Sequence, residues 1–586
     1  MQGFWLEARE TRKRNVRMLL LRAAVLIFAT MLSGTAVAQS QPERLTSDAK
    51  LNAILSYIHS AWDSLTRSTN SCGGVSDPKL SAAPVLYLPS GFDEPGELGQ
   101  MERGCKVMVE HLPDVIRELG STDADSIQPA GLLYLRNKYV VPGGRFNEMY
   151  GWDSYFIIRG LLRDGRLELA RGMVDNFFFE IEHYGAVLNA NRTYYLTRSQ
   201  PPFLSSMVMA VHEAQKAAAQ DDRAWMETAY SYVKRDHAMW TRAPHLAGST
   251  GLSRYYDFGE GPAMEALQDE NDIYRQVAAY FLFHPTIPPY EGKEADIPGG
   301  RASGSPYSVE VCGDGAQPQS SASSPCETAR RIKLTPDYYK GDRSMRESGF
   351  DISFRFGPYG AATQHYAPVC LNSLLFKTER DLEEMSRMLG KNAEAAEWGR
   401  MAEARKQSMQ KYLWDEQQGL FLDYNFDLEQ RSTYRYATTF YPLWVGLADD
   451  AQATAVVKNL TIFERAGGIA MSVQETQGQW DYPFGWAPIQ LLAVEGMRRY
   501  GHNAEADRVS AEFLSMVLEN FERDRTIHEK YNVVSRSSDT HVTAGYGANV
   551  VGFGWTNAAF VELLRALPPG KIVDVARVVS PMAAPR

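Results

Sequence analysis

The sequence predicts a mostly α-helical protein whose paired helices form an (α/α) toroid. Apolar residues recur at the 3.6-residue spacing of helices in many segments from residue 157 onward. Strand signals are few, at Tyr194–Leu196, Leu420–Asp423 and Tyr434–Phe440. The segments between the predicted helices hold Gly, Pro, Trp and carboxylate residues, which binding and catalytic loops commonly use. We therefore expect a helical scaffold that carries functional loops.

Ser47–Leu65 is the first predicted helix, because apolar residues from Leu51 to Ile58 share one face. Residues 70–128 are rich in Gly, Pro, Ser and Asp and are predicted to be irregular, apart from a short helix near Val107–Leu119. The later helices are predicted, in chain order, over Gly160–Phe179, Leu204–Ala219, Asp221–Arg235, Ile273–Phe283, Leu374–Leu413, Ala451–Phe463, Ala487–Tyr500, Ala504–Phe521 and Asn557–Leu567.

Three further features concern boundaries. Leu374–Leu413 is expected to divide into two helices, since Gly390 suits a helix C-cap and Asn392 can begin the next helix. Residues 284–345, rich in Gly, Pro and Ser, are predicted to form an inserted surface loop or lid. Residues 569–586 are predicted to be a flexible tail.

The composition is that of a globular protein, with 44% hydrophobic residues, 23% charged residues and a net charge of −10 over 586 residues. Nucleic-acid binding is not expected, because it needs clustered Lys and Arg to neutralise phosphates. The 11 histidines and 5 cysteines show no spacing typical of a metal site, and no phosphate-binding loop occurs. We expect neither a metal nor a cofactor.

The N-terminal region has the order of a secretory signal. Basic residues from Arg12 to Arg17 precede an apolar stretch, Met18–Leu32, which is followed by small residues up to Ala38. Residues 1–38 are therefore predicted to be a signal peptide, and the protein to be periplasmic or secreted. A permanent membrane anchor is the alternative, but the apolar stretch is shorter than the ~20 residues that a spanning helix needs.

The five cysteines fit an oxidising compartment. Cys312 and Cys326 flank a Gly/Ser/Pro-rich segment, and Cys72 and Cys105 flank another irregular stretch, so each pair could form a disulfide. Cys370 is then left over.

Two aromatic blocks are the most informative motifs. Pro142–Phe156, PGGRFNEMYGWDSYF, contains Arg145, Trp152 and Asp153, and Gly478–Pro488, GQWDYPFGWAP, has similar chemistry. Aromatic faces beside acidic and amide groups suit a sugar, which has apolar C–H faces and a rim of hydroxyls. Both blocks could instead be strips of an ordinary core, although such strips rarely contain charges, which need partners when buried.

A third segment, Asn189–Phe203, lies between these blocks and reads NANRTYYLTRSQPPF. Asn189, Arg198, Ser199 and Gln200 supply hydrogen-bond donors and acceptors, and two prolines stiffen the backbone that carries them. An ordinary polar loop is the alternative. The arginines could also indicate an anionic substrate, but Arg commonly donates to sugar hydroxyls as well.

Asp351 and Glu529 are the candidate catalytic carboxylates. Glycoside hydrolysis needs a protonated carboxyl and an ionised carboxylate on opposite sides of the scissile bond. In RESGFDISFRFG, Asp351 stands in apolar company that favours the protonated form of a general acid, with a salt bridge to Arg346 or Arg355 as the alternative. In HEKYNV, Glu529 adjoins Lys530, whose charge favours the ionised form of a general base. A solvated Glu–Lys pair is the alternative there.

These blocks together resemble the inverting trehalases, a family of glycoside hydrolases that split α,α-trehalose into two glucoses. PGGRFNEMYGWDSYF and QWDYPFGWAP are similar to the two signature patterns of the family, and NRTYYLTRSQPPF, ESGFD, PVCLN, HEKYNV and GFGWTN match its other blocks in order. The resemblance runs from about Ala61 to Leu567, with gaps at residues 70–128 and 284–340. It implies that residues 39–568 form a catalytic domain with the (α/α)6 toroid fold.

Carried over to this sequence, the resemblance implies that Asp351 is the catalytic acid and Glu529 the catalytic base. It implies substrate contacts at Arg145, Trp152, Asp153, Asn189, Arg198, Ser199, Gln200, Glu265 and Gly349. The implied reaction acts on a small sugar, inverts one anomeric centre and needs no cofactor. We expect the enzyme to be a monomer.

The sequence also departs from the family pattern. The Arg-Pro-Glu core of one family segment aligns with Gly261–Glu265, where the glutamate is retained as Glu265 but the arginine falls on Ala263. Arg254 could fill the space of that arginine. Cys370 stands where the family usually has Asp.

A family glutamate has no acidic counterpart in Gly545–Val551, where Tyr546 or Asn549 lies nearest and Tyr546 could fill the space. These departures leave open an inverting glucosidase of the same fold that cleaves another α-glucoside. A sugar-binding protein without turnover is a further hypothesis, but a pure binder has no need of both Asp351 and Glu529.

Overall fold

The helices lie in two concentric layers. The computed structural model describes residues 48–75, 84–96, 98–269, 273–284, 293–294, 308–312, 329–476 and 478–577, and the predicted signal peptide lies outside them. The described helices are α1 (Ala49–Leu65), α2 (Cys72–Val75), α3 (Leu98–Cys105), α4 (Asp153–Arg163), α5 (Leu167–His183), α6 (Leu204–Ala217), α7 (Arg223–Trp240), α8 (Met264–Asp269), α9 (Ile273–Phe283), α10 (Pro336–Glu347), α11 (Val369–Met388), α12 (Asn392–Tyr412), α13 (Tyr441–Trp444), α14 (Asp450–Lys458), α15 (Leu460–Phe463), α16 (Ala487–Arg499), α17 (Asn503–Asp524), α18 (Gly554–Ala566) and α19 (Pro569–Arg577).

The inner layer is a closed ring. In the described part of the chain α4, α6, α11, α13, α16 and α18 each pack against the next, and α18 packs against α4. At this last contact the Arg159 Nε of α4 donates a hydrogen bond of 3.3 Å to Glu562 Oε1 of α18, across 403 positions of sequence. The ring confirms the predicted (α/α)6 toroid.

The outer layer covers the ring. α5 packs on α4 and α6, α7 on α6 and α11, α12 on α11, α17 on α16 and α18, and α1 on α17 and α18. Inner helices are buried on most sides, whereas outer helices bury mainly one face. α18 is buried continuously from Gly554 to Leu564. α12 buries only Ala395, Ala402, Arg405 and Met409, a single stripe at helical spacing.

The strands are short and lie in the connections. They are β1 (Thr66–Arg67), β2 (Val85–Leu88), β3 (Met108–His111), β4 (Leu132–Leu133), β5 (Tyr139–Val140), β6 (Lys293–Glu294), β7 (Ser308–Cys312), β8 (Ala329–Lys333), β9 (Tyr366–Ala367), β10 (Trp414–Asp415), β11 (Leu420–Phe421), β12 (Tyr424–Asn425), β13 (Gln430–Arg431), β14 (Glu464–Arg465), β15 (Gly468–Ile469), β16 (Phe484–Trp486) and β17 (Lys530–Asn532). β16 pairs with β17 in antiparallel register, which sets Trp486 opposite Lys530 and joins the second aromatic block to HEKYNV.

Several predicted elements differ from those observed. The helix near Val107–Leu119 is wrong, because β3 instead pairs in parallel with β2. The strands predicted over Tyr194–Leu196 and Tyr434–Phe440 are also wrong, since 3-10 turns occupy Thr193–Tyr195 and Ala437–Phe440. A short aromatic run does not distinguish a strand from a tight turn.

The helix predicted over Gly160–Phe179 is two helices, α4 and α5, which begin earlier and end later than expected. The break lies at Gly165, whose φ of +70° is the left-handed conformation that ends many helices. The predicted division of Leu374–Leu413 is confirmed, because α11 ends at Met388 and α12 begins at Asn392, with Gly390 between them at φ +77°.

The inserted loop predicted over 284–345 ends earlier than expected, because α10 begins at Pro336. α10 is buried although it is rich in charge: Lys340 donates to the Asp257 oxygen at 2.9 Å, and Asp342 accepts from Arg346 at 3.2 Å. Such a helix has no apolar periodicity to detect. The tail predicted from 569 onward also begins with a helix, α19, which packs on α17.

Cys72 and Cys105 form a disulfide, as one of the two predicted pairs, and Cys370 is free and buried. Cys326 lies outside the described residues, so the other pair stays a prediction. Among the helices that the structure describes, none combines the length and the apolar character of a membrane-spanning segment.

Candidate active site

One cavity collects the predicted site residues at the end of the toroid where loops lead into the inner helices. Its volume is about 100 Å³, and it is lined by Pro142, Arg145, Phe146, Tyr150, Trp152, Asp153, Asn189, Tyr195, Arg198, Gln200, Glu265, Arg346, Gly349, Asp351, Trp480, Glu529, Tyr546, Phe553 and Trp555. Every predicted site residue except Ser199 is among them. Both aromatic blocks therefore contribute to one site.

Tryptophans form an apolar wall of this cavity. The Trp152 ring lies 5.7 Å from those of Trp480 and Trp555, and Trp480 stacks on Trp486 at 3.8 Å with an interplanar angle of 6°. Such faces suit the C–H surface of a sugar ring. Gly349 allows the wall to form, because its φ is +74° and an added Cβ would lie 2.9 Å from the Trp152 ring.

Asp351 follows α10 and is held through its backbone. Gln479 Nε2 donates to the Asp351 oxygen at 2.6 Å, and the next carbonyl, of Ile352, accepts from the Trp480 amide at 3.1 Å. Arg355, one of the salt-bridge partners considered for Asp351, instead forms a bidentate pair with Asp423 at 2.7 and 2.6 Å. The acid candidate therefore faces the cavity from a firmly bonded loop.

Glu529 is buried, with 1% of its surface exposed, which excludes the solvated Glu–Lys pair. Its Oε1 accepts a 2.5 Å hydrogen bond from the Tyr546 hydroxyl, and its Oε2 lies 3.5 Å from Lys530 Nζ. Its backbone oxygen accepts from Trp555 Nε1 at 3.1 Å. The base candidate thus has a neutral donor at one oxygen and a cation near the other.

Lys530 is buried beneath the site. Its Nζ donates to Gln479 Oε1 at 2.9 Å and lies 4.2 Å from the centre of the Tyr546 ring. Burial lowers the pKa of Lys530, and the charge of Glu529 opposes this effect. Gln479 therefore connects the backbone of Asp351 with the cation beside Glu529.

Asp153 is a third carboxyl in the cavity, at the first residue of α4. Burial and the nearby charge of Glu529 raise the pKa of Asp153 well above its usual range. A protonated carboxyl both donates and accepts, as a partner of sugar hydroxyls must. The preceding residue, Trp152, is held by a 2.9 Å hydrogen bond from its amide to Gln200 Oε1.

Arg198 and Glu265 form an ion pair at another side of the cavity. Arg198 also lies 3.5 Å from Asp257, and Arg346 lies 3.9 Å from Glu265. Although burial opposes it, the two guanidinium groups lower the pKa of Glu265. Two cations thus hold this carboxylate ionised where it lines the cavity.

The structure shows the surroundings of Ala263, the residue that aligns with the lost family arginine. Ala263 is fully buried, and its amide donates to the Tyr274 hydroxyl at 2.8 Å. Arg254 does not replace the arginine, since it donates to the carbonyls of Pro244 and Gln364 and does not line the cavity. The cations that do lie beside Glu265 are Arg198 and, at 3.9 Å, Arg346.

Ser199 is the predicted contact residue that lies behind the cavity wall. Its hydroxyl donates to the Val187 oxygen at 2.6 Å, and its amide donates to Glu347 at 3.3 Å. Asn189 lines the cavity, and its amide nitrogen lies 3.4 Å from the Arg346 oxygen. Ser199 therefore shapes the loop that presents Arg198.

Sequence reasoning missed further lining residues, which are Pro142, Phe146, Tyr150, Tyr195, Arg346, Trp480, Phe553 and Trp555. Several of them, such as Phe146, Tyr150 and Trp480, belong to the two aromatic blocks, so the blocks could have indicated that these residues line the site. Arg346 was considered only as a partner for Asp351, because nothing in the sequence brings it near Glu265. Among the described residues, no cluster of three or more His, Cys, Asp or Glu side chains could hold a metal ion.

The chain is similar to known proteins in both sequence and fold. The family model described as Trehalase matches residues 31–280 and 319–568. A probable trehalase of Eremothecium gossypii is 34% identical over 584 residues, which cover 89% of this chain and 73% of the relative. A cytosolic neutral trehalase of Saccharomyces cerevisiae is 34% identical over 564 residues, which cover 86% and 70%.

The solved structure of neutral trehalase Nth1 from Saccharomyces cerevisiae superimposes with a TM-score of 0.70 and 30% identity, over 91% of this chain and 97% of that one. These relatives also correct one prediction. Several are named cytosolic neutral trehalases, which contradicts the predicted periplasmic or secreted location, so that prediction is wrong. The prediction rested on composition alone, a basic segment before a short apolar one.

The matched model covers most of the chain, and relatives above 30% identity are covered over more than two thirds of their length. The resemblance inferred from the ordered motifs is therefore confirmed, and the chain belongs to the trehalase family.

Proposed function

We propose that this enzyme hydrolyses α,α-trehalose to two glucoses with inversion at one anomeric centre, with Asp351 as the general acid and Glu529 as the general base. One observation carries the proposal. Asp351 and Glu529 line the same tryptophan-walled cavity in a chain of the trehalase family. Inversion needs the two carboxyl groups ~6.5–9.5 Å apart, so that a water fits beside the anomeric carbon.

In the proposed reaction Asp351 gives its proton to the oxygen that joins the two glucoses, and the bond from that oxygen to one anomeric carbon breaks. A water attacks this carbon from the opposite face while Glu529 takes the water proton. One glucose is released as the β anomer and the other keeps the α configuration. Asp351 ends ionised and Glu529 protonated, and proton exchange with solvent restores both.

The remaining cavity residues support binding of a sugar. Trp152, Trp480 and Trp555 offer apolar faces, and Asp153, Arg198 and Gln200 offer donors and acceptors for hydroxyls. Gln200 and Arg198 are held by bonds to Trp152, Asp257 and Glu265, so little order has to be gained by these two side chains on binding.

An NMR time course with α,α-trehalose tests the proposal, if the anomeric protons are followed before mutarotation mixes them. Equal early release of α- and β-glucose is expected. Release of only one anomer would refute inversion, and the absence of any release by folded protein would refute the substrate.

A second candidate function is cleavage of another α-glucoside by the same mechanism. Ala263 stands where the resemblance expects an arginine, and Gly545–Val551 has no acidic counterpart of an expected glutamate. Both changes remove charge from groups expected to hold the sugars. A panel of α-linked glucosides distinguishes the candidates, since trehalose should have the highest kcat/KM. Trehalose binding that persists without turnover, unaffected by Asp351→Ala, would instead indicate a binding protein.

A further inference from the structure

We propose that Tyr546 is the positioning residue of the catalytic base: its hydroxyl holds Glu529 Oε1 and leaves Glu529 Oε2 to accept the proton of the attacking water. The inference rests on the proposed function, because it assigns atoms within that reaction. Tyr546 acts through Glu529 and takes no proton itself.

The contact between the two side chains is direct. The Tyr546 hydroxyl and Glu529 Oε1 are 2.5 Å apart, at the short end of the range for a hydroxyl that donates to a charged oxygen. Burial, together with the negative charges of Glu529 and Asp351, raises the pKa of Tyr546 well above its usual range. The hydroxyl therefore keeps its proton and is the donor.

The other carboxylate oxygen is in a different position. Glu529 Oε2 is buried and accepts no hydrogen bond from the part of the chain that the structure describes. The 3.5 Å distance to Lys530 Nζ permits attraction between the charges but lies at the long limit for a hydrogen bond. Because Oε1 already accepts from Tyr546 and Oε2 accepts from no donor among the described residues, Oε2 is the oxygen of this carboxylate with the capacity to receive a water proton.

The backbone fixes Tyr546 in this place. Gly545 has a φ of +126°, and a Cβ added there would lie 2.6 Å from Gln479 Cδ. Only glycine therefore allows this turn to pack on Gln479. Lys530 Nζ also donates to the backbone carbonyl oxygen of Tyr546 at 3.4 Å. Gln479, which bonds to Asp351, and Lys530, which lies beside Glu529, therefore also fix the backbone that carries the Tyr546 hydroxyl.

Asn549 was the other residue expected near the lost glutamate, and it has a different role. Its side chain accepts from the Lys530 amide at 3.2 Å and donates to the oxygens of Lys530 and Ser538 at 2.9 and 2.7 Å. It holds the strand that carries the base and does not line the cavity.

A hydrogen bond donated to a carboxylate stabilises its ionised form. The other charged or titratable groups that face Glu529 are Lys530 and Arg145, which also favour ionisation, and Asp153 and Asp351, which oppose it when ionised. Removing the Tyr546 hydroxyl leaves all of these in place. The acid limb of the pH–rate profile should then move to higher pH.

The test compares wild type, Tyr546→Phe and a matched control, Tyr184→Phe. The Tyr184 hydroxyl is buried and donates to the Tyr134 oxygen at 2.8 Å, away from the cavity. For Tyr546→Phe we expect the midpoint of the acid limb, in the pH profile of kcat/KM on trehalose, to move to higher pH by about 1 unit. This is the scale of one hydrogen bond to a charged group. Tyr184→Phe should leave the limb unchanged.

A second readout does not depend on turnover. Enzyme labelled with 13C at glutamate side-chain carboxyls, with the Glu529 signal identified by Glu529→Gln, reports the protonation of Glu529 directly. Its titration midpoint should move upward in Tyr546→Phe by the same amount. An unchanged midpoint in folded Tyr546→Phe would overturn the proposal. A shifted midpoint in a protein that does not hydrolyse trehalose would support the contact and refute the proposed function instead.

Discussion

Gln479 donates a 2.6 Å hydrogen bond from its side-chain nitrogen to the backbone oxygen of Asp351. The oxygen of the same amide accepts from Lys530, which lies beside Glu529. One fully buried side chain therefore links the loops of the proposed acid and base. Their relative position depends on this amide.

Replacing Gln479 by Leu should lower both activity and stability. The change removes the hydrogen-bond donor to the Asp351 carbonyl and one acceptor of the buried Lys530 ammonium group. Each loss costs about 1–3 kcal/mol. We expect kcat on trehalose to fall ~10-fold or more, beyond what a lower Tm explains. Gln490→Leu is the control, because Gln490 makes two similar buried bonds to the Ile469 backbone at 2.8 and 2.6 Å. Equal kcat losses in the two folded variants would remove the special role of Gln479.

Asp351→Ala and Glu529→Ala should each reduce kcat by ~10²–10⁴-fold, the usual contribution of general acid–base catalysis. Folding should be retained, as thermal unfolding can verify. Glu403→Ala serves as a control, since Glu403 is exposed and bonds only to Gln407 in the described structure. Near-normal turnover by either variant would refute the role given to that residue.

Arg198→Lys should lower kcat/KM although the charge is retained. Arg198 reaches both Glu265 and Asp257 with different nitrogens, and a lysine ammonium cannot reproduce that planar arrangement. Arg254→Lys is a matched control, because Arg254 bonds to two backbone carbonyls outside the cavity. If the two variants have the same kcat/KM, Arg198 does not contact the sugar.

Stability should depend on pH through Asp236, a buried residue of α7 outside the cavity. Burial raises the pKa of Asp236 to about 7. Between about pH 4, where an unfolded Asp ionises, and pH 7, the folded state keeps this proton and the unfolded state does not. Raising the pH through this range therefore destabilises the fold, by on the order of a few kcal/mol.

Asp236→Asn has no carboxyl to ionise at this position, so it lacks this pH-dependent loss of stability. As the pH is raised from 5 to 7, the Tm of Asp236→Asn should fall less than the Tm of the wild type. The measurement is a series of thermal unfolding curves in matched buffers. Parallel Tm profiles for the two proteins would show that Asp236 ionises alike in the folded and unfolded states.

Sequence patterns predicted the elements whose burial is apolar. Ile273–Phe283 is observed with the predicted bounds, and the helix break at Gly390 follows from its φ of +77°. α10 was not predicted because its buried side chains are charged. Lys340 and Arg343 donate to the backbone oxygens of Asp257 and Pro262, and Asp342 accepts from Arg346. A search for apolar periodicity does not detect such a helix.

The same distinction holds for the candidate site. Trp152, Asp351 and Glu529 stand in recognisable blocks, and the structure brings all three to one cavity. One contact had no sequence signal, Arg346 beside Glu265. Tyr546 was expected to fill the space of the missing glutamate, but the sequence did not indicate that its hydroxyl bonds to Glu529. Each of these two contacts joins residues that are close only because the toroid folds the loops onto one end.

The seam between α4 and α18 has a consequence for synthesis of the protein. Arg159 and Glu562 meet across 403 positions, and the cavity needs loops from Arg145 through Trp555. A nascent chain therefore cannot assemble the site until nearly all of it has left the ribosome, and contacts of such long sequence separation form slowly. Until then the apolar face of α4 that α18 will cover stays open to chaperones and to aggregation.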